Sequence, residues 1–122
     1  MADKLLIVIA NVDLTNADQL LPPLSQAAIA AAMEYEVEVI FSGQAGKLAM
    51  KNVAQTIFTS NHDSISAMQL IQDAKSAGVI FKVCTPALDL WGNDLISEIN
   101  ETVGGAYVIT EAMDDSVVTF TY

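Results

Sequence analysis

Residues 4–10 read KLLIVIA and residues 79–84 read VIFKVC. These near-continuous apolar runs constrain the fold more than any other feature of the chain. A strand with one wet face alternates apolar and polar residues. A strand without that alternation is covered on both faces, which is the signature of a parallel sheet sandwiched between helices. No apolar stretch reaches the eighteen or so residues that a membrane span needs. The 122 residues make one domain, 1–122, and 52% hydrophobic content is enough for a single core.

The intervening segments fit that plan. Pro22 and Pro23 mark a helix start, since the first helical turn tolerates proline. The alanine-rich helix that follows, running to about Tyr35, can lie close against a sheet. Residues 36–41 (EVEVIF) are a second strand. Residues 43–46 form a turn, and 47–52 a short helix. Residues 53–59 (VAQTIFT) read as a short strand. Asp63 or Ser64 can cap the next helix, whose apolar face is Ile65, Met68, Ile71 and Ala74. Gly78 ends it. Thr85 suits the N-cap and Pro86 the first position of a short helix ending at Gly92. Asn93 or Asp94 opens a further helical stretch with Leu95, Ile96, Ile99 and Val103 on one side. In residues 104–113 strand propensity (AYVIT) competes with the helical spacing of Ala106, Ile109 and Met113. Residues 117–122 (VVTFTY) are a terminal strand. The expected architecture is a three-layer α/β/α sandwich around a mainly parallel sheet of about five strands.

Charge excludes several functions. Fifteen acidic residues face five lysines with no arginine, a net charge of −10. Nucleic-acid phosphates need cationic partners, so nucleic acid is an unsuitable ligand. An acidic surface favours basic partners, or serves solubility alone. The GQAGK stretch at 43–47 is not a phosphate loop. That motif needs glycine at the position of Phe41 and Ser or Thr at the position of Leu48. A turn feeding a helix is the better account. Glu34, Glu36 and Glu38 read as a solvated stripe, and Trp91 as a core or interface residue. One histidine and one cysteine cannot build a histidine or cysteine metal cluster, and no cofactor is implied. A single cysteine also excludes an intramolecular disulfide. That fits a reducing, cytoplasmic setting.

That cysteine, Cys84, is the leading site candidate. It ends a strand, and reactive groups in open α/β sheets gather at the carboxyl ends of strands. The amides of the helix start at Thr85 and Pro86 stabilise a thiolate over a thiol, while Asp89 would oppose that charge if it faced the sulfur. The alternative is that Cys84 fills space as a small apolar residue. His62 could move a proton at Cys84 if residues 53–58 form a parallel strand, because its loop would then lie at the same sheet edge.

The order of these pieces carries a resemblance. The opening KLLIVIAN strand, the segment AMEYEVEVIFSGQAGKLAMK, the AKSAGVIFKVCTPALDLWG strand and helix, and the closing EAMDDSVVTFTY are together similar to the DsrE/DsrF-like family of small sulfur-relay proteins, which includes the TusD-type subunits. The match runs over nearly the whole length. It implies that Cys84 accepts sulfane sulfur as a persulfide and passes it to a partner thiol, with a TusA-like carrier as the type of partner. It implies trimers, hexamers or hetero-oligomers with related chains. The rival expectation is a non-catalytic oligomeric binding or assembly subunit of the same fold.

Overall fold

The computed structural model describes residues 2–122. Five strands, β1 (Lys4–Ile9), β2 (Glu36–Phe41), β3 (Ile80–Cys84), β4 (Ile99–Val103) and β5 (Val117–Thr121), form one sheet in the order β4-β3-β2-β1-β5. Every neighbouring pair is parallel. Four helices connect them: α1 (Leu21–Ala32), α2 (Ala67–Ser76), α3 (Thr85–Trp91) and α4 (Gly105–Ala112).

From β1 to β4 the chain steps one way across the sheet, and α1, α2 and α3 pack on the first face. Leu24, Ala27, Ile71, Ala74 and Ala87 meet Ile7, Ile9, Val39, Phe41, Phe81 and Val83 there. Phe41 and Phe81 stack with ring centroids 5.7 Å apart. The return from β4 to β5 runs the other way, so a right-handed crossover carries α4 over the second face. That face is small: Leu6, Ile40, Cys84 and Val103, backed by Val8, Tyr107, Val108 and Val117. The result is the α/β/α sandwich expected from the unalternating strands.

Several local expectations change. Residues 53–59 are not a strand of the sheet. They hold a 3-10 turn, Ala54–Thr56, and Phe58 makes only an isolated antiparallel bridge to Ser66. The fifth strand is instead β4, inside the stretch expected to be helical. Its register against β3 slips between Phe81 and Lys82, so Ile99 pairs with Phe81 while Glu101 pairs with Lys82. The extra residue, Asn100, is a β-bulge. It takes a hydrogen bond from the Phe81 amide at 3.3 Å and one from Lys75 Nζ at 3.0 Å. Helix α1 stops at Ala32 because Glu34 turns into the left-handed region, at φ 71°. Ser66, not Asp63 or Ser64, caps α2: its Oγ accepts from the Gln69 amide at 3.0 Å. Residues 104–113 resolve as helix, not strand.

The GQAGK stretch lies in a 3-10 helix, Gly43–Ala49, that starts earlier than the expected 47–52 helix and packs under α3. Gly46 is buried there, and an added Cβ would stand 2.5 Å from Ala87 Cβ and 3.3 Å from Trp91 Cδ1. Trp91 is partly exposed; its Nε1–H donates to the Gly43 carbonyl at 2.9 Å, and Lys47 Nζ lies 4.3 Å from the ring centroid. The glycine thus admits a helix, not a phosphate.

Gly46→Ala should therefore destabilise the protein by about 1–3 kcal/mol through overpacking. Gly105→Ala, where an added Cβ meets nothing within 4 Å, should be neutral or stabilising by up to about 1 kcal/mol. Urea unfolding of the two variants checks both signs.

Candidate functional site

Cys84 is the last residue of β3, and its extended backbone (φ −69°, ψ 138°) makes it the N-cap of α3. Thr85 and Pro86 are the first two helical residues, one place later in the helix than their sequence suggests. Pairing with Val103 of β4 holds Cys84 extended, so the cysteine itself supplies the cap conformation. Asp89 is exposed. The thiol is free, and the residue is 7% exposed. Its side chain belongs to the second-face cluster, under Tyr107 and Val108 of α4.

The position has a topological meaning. The connection after β3 goes to the first face through α3, and the one after the adjacent β4 goes to the second face through α4. Where neighbouring connections part in this way, a crevice opens at the carboxyl ends of the strands. Cys84 stands at that switch point.

The same face carries a charged set that the sequence reading treated otherwise. Glu38 is not part of a solvated stripe: it is 3% exposed, whereas Glu34 and Glu36 face solvent. Lys4 Nζ donates to Glu38 Oε2 at 2.6 Å, and Lys82 Nζ lies 3.1 Å from Glu38 Oε1. The Tyr107 hydroxyl donates to Glu38 Oε1 at 2.6 Å and accepts from Lys82 Nζ at 2.9 Å. Its single proton serves Glu38, so the 3.1 Å contact with Glu111 is not a second donation. Lys4 also donates to Glu111, and Lys82 pairs with Glu101 at 2.8 Å. Two buried ammonium groups therefore flank one buried carboxylate, and α4 supplies the phenol and the outer carboxylate.

Burial works against the charge on Glu38, Lys4 and Lys82, and their polar partners outweigh it. Burial pushes Glu38 up, but Lys4, Tyr107 and Lys82 hold it below its ordinary value. Burial pulls Lys4 down, but Glu111 and Glu38 raise it above its ordinary value; Lys82 is raised against the same pull by Glu101, Tyr107 and Glu38. Burial and Glu38 raise Tyr107, which keeps its hydroxyl a donor. The sequence did hold a signal. Lys4, Glu38 and Lys82 are charges inside strands covered on both faces, and such charges need counter-charges.

His62 is exposed and lies in the turn that follows Thr59. Its loop hangs on the segment after β1: the Ala17 amide donates to the Phe58 carbonyl at 2.9 Å, and the Ser60 amide to Asp18 Oδ1 at 2.8 Å. The strand that would have set this loop beside Cys84 is the 3-10 turn described above. None of the contacts around either residue joins the histidine to the thiol.

Solved structures share the architecture. The ychN protein from E. coli superposes with a TM-score of 0.70 at 17% identity, over 98% of this chain and 100% of that one. A conserved protein of unknown function from Bacteroides thetaiotaomicron superposes with a TM-score of 0.66 at 16% identity, over 98% of this chain and 95% of that one. At these identities the likeness is one of fold. No known protein-family profile and no curated protein matches the chain.

Glu38→Gln should cost about 3 kcal/mol or more, because it leaves two buried ammonium groups short of a carboxylate. The sign with pH follows from linkage. Glu38, held below the ordinary 4.5, stabilises the fold above that pH and stops doing so as pH falls through its lowered value. Lys4 and Lys82, held above 10.5, contribute fully below that pH and lose the contribution as pH rises through their raised values. Urea midpoints of wild type and variant should begin to approach each other as pH falls below about 4.5 and meet only below the lowered value of Glu38; a gap that stays constant would show that the ionised carboxylate is not what the site requires.

Proposed function

We propose that this protein is a sulfur carrier of the DsrE/DsrF-like, TusD-related kind, holding sulfane sulfur on Cys84. One observation carries the reading: the chain's only thiol ends an interior strand at the switch point of an open α/β sheet. The resemblance in the order of sequence segments and the fold shared with the ychN protein support it.

The chemistry needs one protein sulfur. The Cys84 thiolate attacks the outer sulfur of a donor persulfide, the donor S–S bond breaks, and the donor leaves as a thiolate. The new S–S bond then belongs to Cys84. In the second step an acceptor thiolate attacks the outer sulfur of Cys84–S–SH, and Cys84 leaves as the thiolate. Each step exchanges one S–S bond for another, so no external oxidant or reductant enters. The acceptor proposed is a TusA-like thiol carrier, in a reducing, cytoplasmic setting. The working form is an oligomer of this chain, trimeric or hexameric, or one built with related subunits. Thr85 and Pro86 contribute by starting α3 directly after the sulfur. His62 has no step in this scheme.

At 7% exposure the thiol must be uncovered for either step. Helix α4 is the element that moves. It has no fully buried residue and starts at Gly104 and Gly105, whose Cα atoms face open space.

The burial of Cys84 also favours the second reading, in which the domain is a non-catalytic assembly subunit and the cysteine is packing. Intact mass separates the two. After incubation with polysulfide or a persulfidated donor, wild type should gain ~32 Da, one sulfur, and Cys84→Ser should gain nothing. No adduct, or the same adduct on Cys84→Ser, would sink the carrier reading. Alkylation gives an independent check: a carrier thiol reacts in the native protein, whereas a packing thiol reacts only at the rate of unfolding.

A further inference from the structure

The charged set on the second face divides into two parts by the elements that carry it. Lys4, Glu38, Lys82 and Glu101 come from β1, β2, β3 and β4, one from each. Their charges sum to zero, and each cation has a carboxylate within the sheet. Lys4 has Glu38 at 2.6 Å; Lys82 has Glu38 at 3.1 Å and Glu101 at 2.8 Å. Helix α4 brings the other part, the Tyr107 hydroxyl and the Glu111 carboxylate. Taking α4 away leaves no lysine without a counter-charge and returns Tyr107 and Glu111 to water. The large cost in a buried ionic set is a stranded charge, and this division avoids it.

The rest of the hold on α4 is slight. Leu6, Ile40, Cys84 and Val103 are the buried members of the face it covers. Its N-cap, Gly104, provides no side-chain bond, and none of its residues is fully buried. At the far end Met113, Asp114 and Asp115 are exposed. Tyr107 is the one residue of α4 that joins both kinds of contact. Its ring packs on the cluster that holds Cys84, and its hydroxyl donates to Glu38 Oε1 at 2.6 Å.

We propose that Tyr107 is a latch on Cys84: its bond to Glu38 seats α4 over the thiol, and breaking that bond frees α4 to swing away as a unit. The sheet then keeps its own ion pairs, and the first-face core stays closed. The ionic set thus regulates how often the sulfur is exposed. Tyr107 acts by positioning α4 and takes no part in the sulfur exchange. The inference rests on the reading of Cys84 as a working thiol, since only a working thiol has to be exposed by the native protein. A hydrogen bond to an ionised group is stronger than one between neutral groups, so its loss should shift the opening equilibrium about tenfold or more.

Alkylation of Cys84 by iodoacetamide in the native protein measures that equilibrium. Labelling through a local opening depends weakly on urea, because little surface is uncovered. Labelling through global unfolding follows the full urea dependence of stability. Tyr107→Phe keeps the ring and removes only the hydroxyl. It should label about tenfold faster than wild type or more, with weak urea dependence in both. Ile71→Val, in the first-face core, should lower the urea midpoint and leave the labelling rate unchanged. Equal labelling of Tyr107→Phe and wild type, or a rate in Ile71→Val that rises in step with its lost stability, would overturn the latch. Loading with polysulfide keeps this result apart from the carrier reading. A ~32 Da adduct that forms on wild type with no acceleration in Tyr107→Phe would overturn the latch and leave the carrier standing. Faster alkylation of Tyr107→Phe with no adduct on either protein would support the latch and overturn the carrier.

Discussion

The second face of the sheet depends on one buried carboxylate. Glu38 lies between Lys4 and Lys82, and each ammonium reaches a second carboxylate contributed from outside. Without Glu38 the two lysines of β1 and β3 would be like charges held in a low dielectric. Without the lysines Glu38 could not stay ionised. Helix α4 is attached to this set through Tyr107 and Glu111 and has no fully buried residue of its own. An apolar filling of the same volume would stabilise the face as well. What the ions add is position, because a phenol with one proton and two charged neighbours fits in few ways.

The two faces thus divide the work of the domain. Three helices and several short 3-10 segments cover the first, rich in alanine and closely packed: Gly46 has no room for a methyl group. One eight-residue helix covers the second, held largely by polar contacts. The thiol belongs to the thinner face, beneath a single helix. The first face holds the main core, and the second covers the sulfur.

How much of this was legible in the sequence follows from what periodicity can carry. The runs at 4–10, 36–41, 79–84 and 117–122 appear as strands because their apolar content leaves no other arrangement. Cys84 was correctly read at a strand end. The error at β4 has a physical cause. Ile99 and Val103 are four apart, a helical spacing, but the bulge at Asn100 turns the strand between them, so Ile99 packs with the first-face core and Val103 with the second. A single inserted residue imitates a helix face. In residues 53–59 β-branched propensity suggested a strand, but the sheet was already complete, and the segment turns instead to carry α2 into place. Glu38 was misread because its partners lie 34 and 44 residues away in sequence and meet only in the parallel register. Its place inside a doubly covered strand was the signal, but the acidic run it shares with the solvated Glu34 and Glu36 masked it.

The bulge reaches further than its own strand. Paired without the bulge, with Asn100 opposite Lys82, β4 would set Thr102 beside Cys84 and Glu101 beside Val83, which faces the apolar core. With it, Val103 walls the thiol and Glu101 neutralises Lys82. The surroundings of the sulfur, hydrocarbon on one flank and an ion-paired lysine two residues behind, are therefore decided by one register slip in the adjacent strand. The bulge is a spacer: it absorbs a residue so that an apolar side chain, and not a polar one, stands against the thiol.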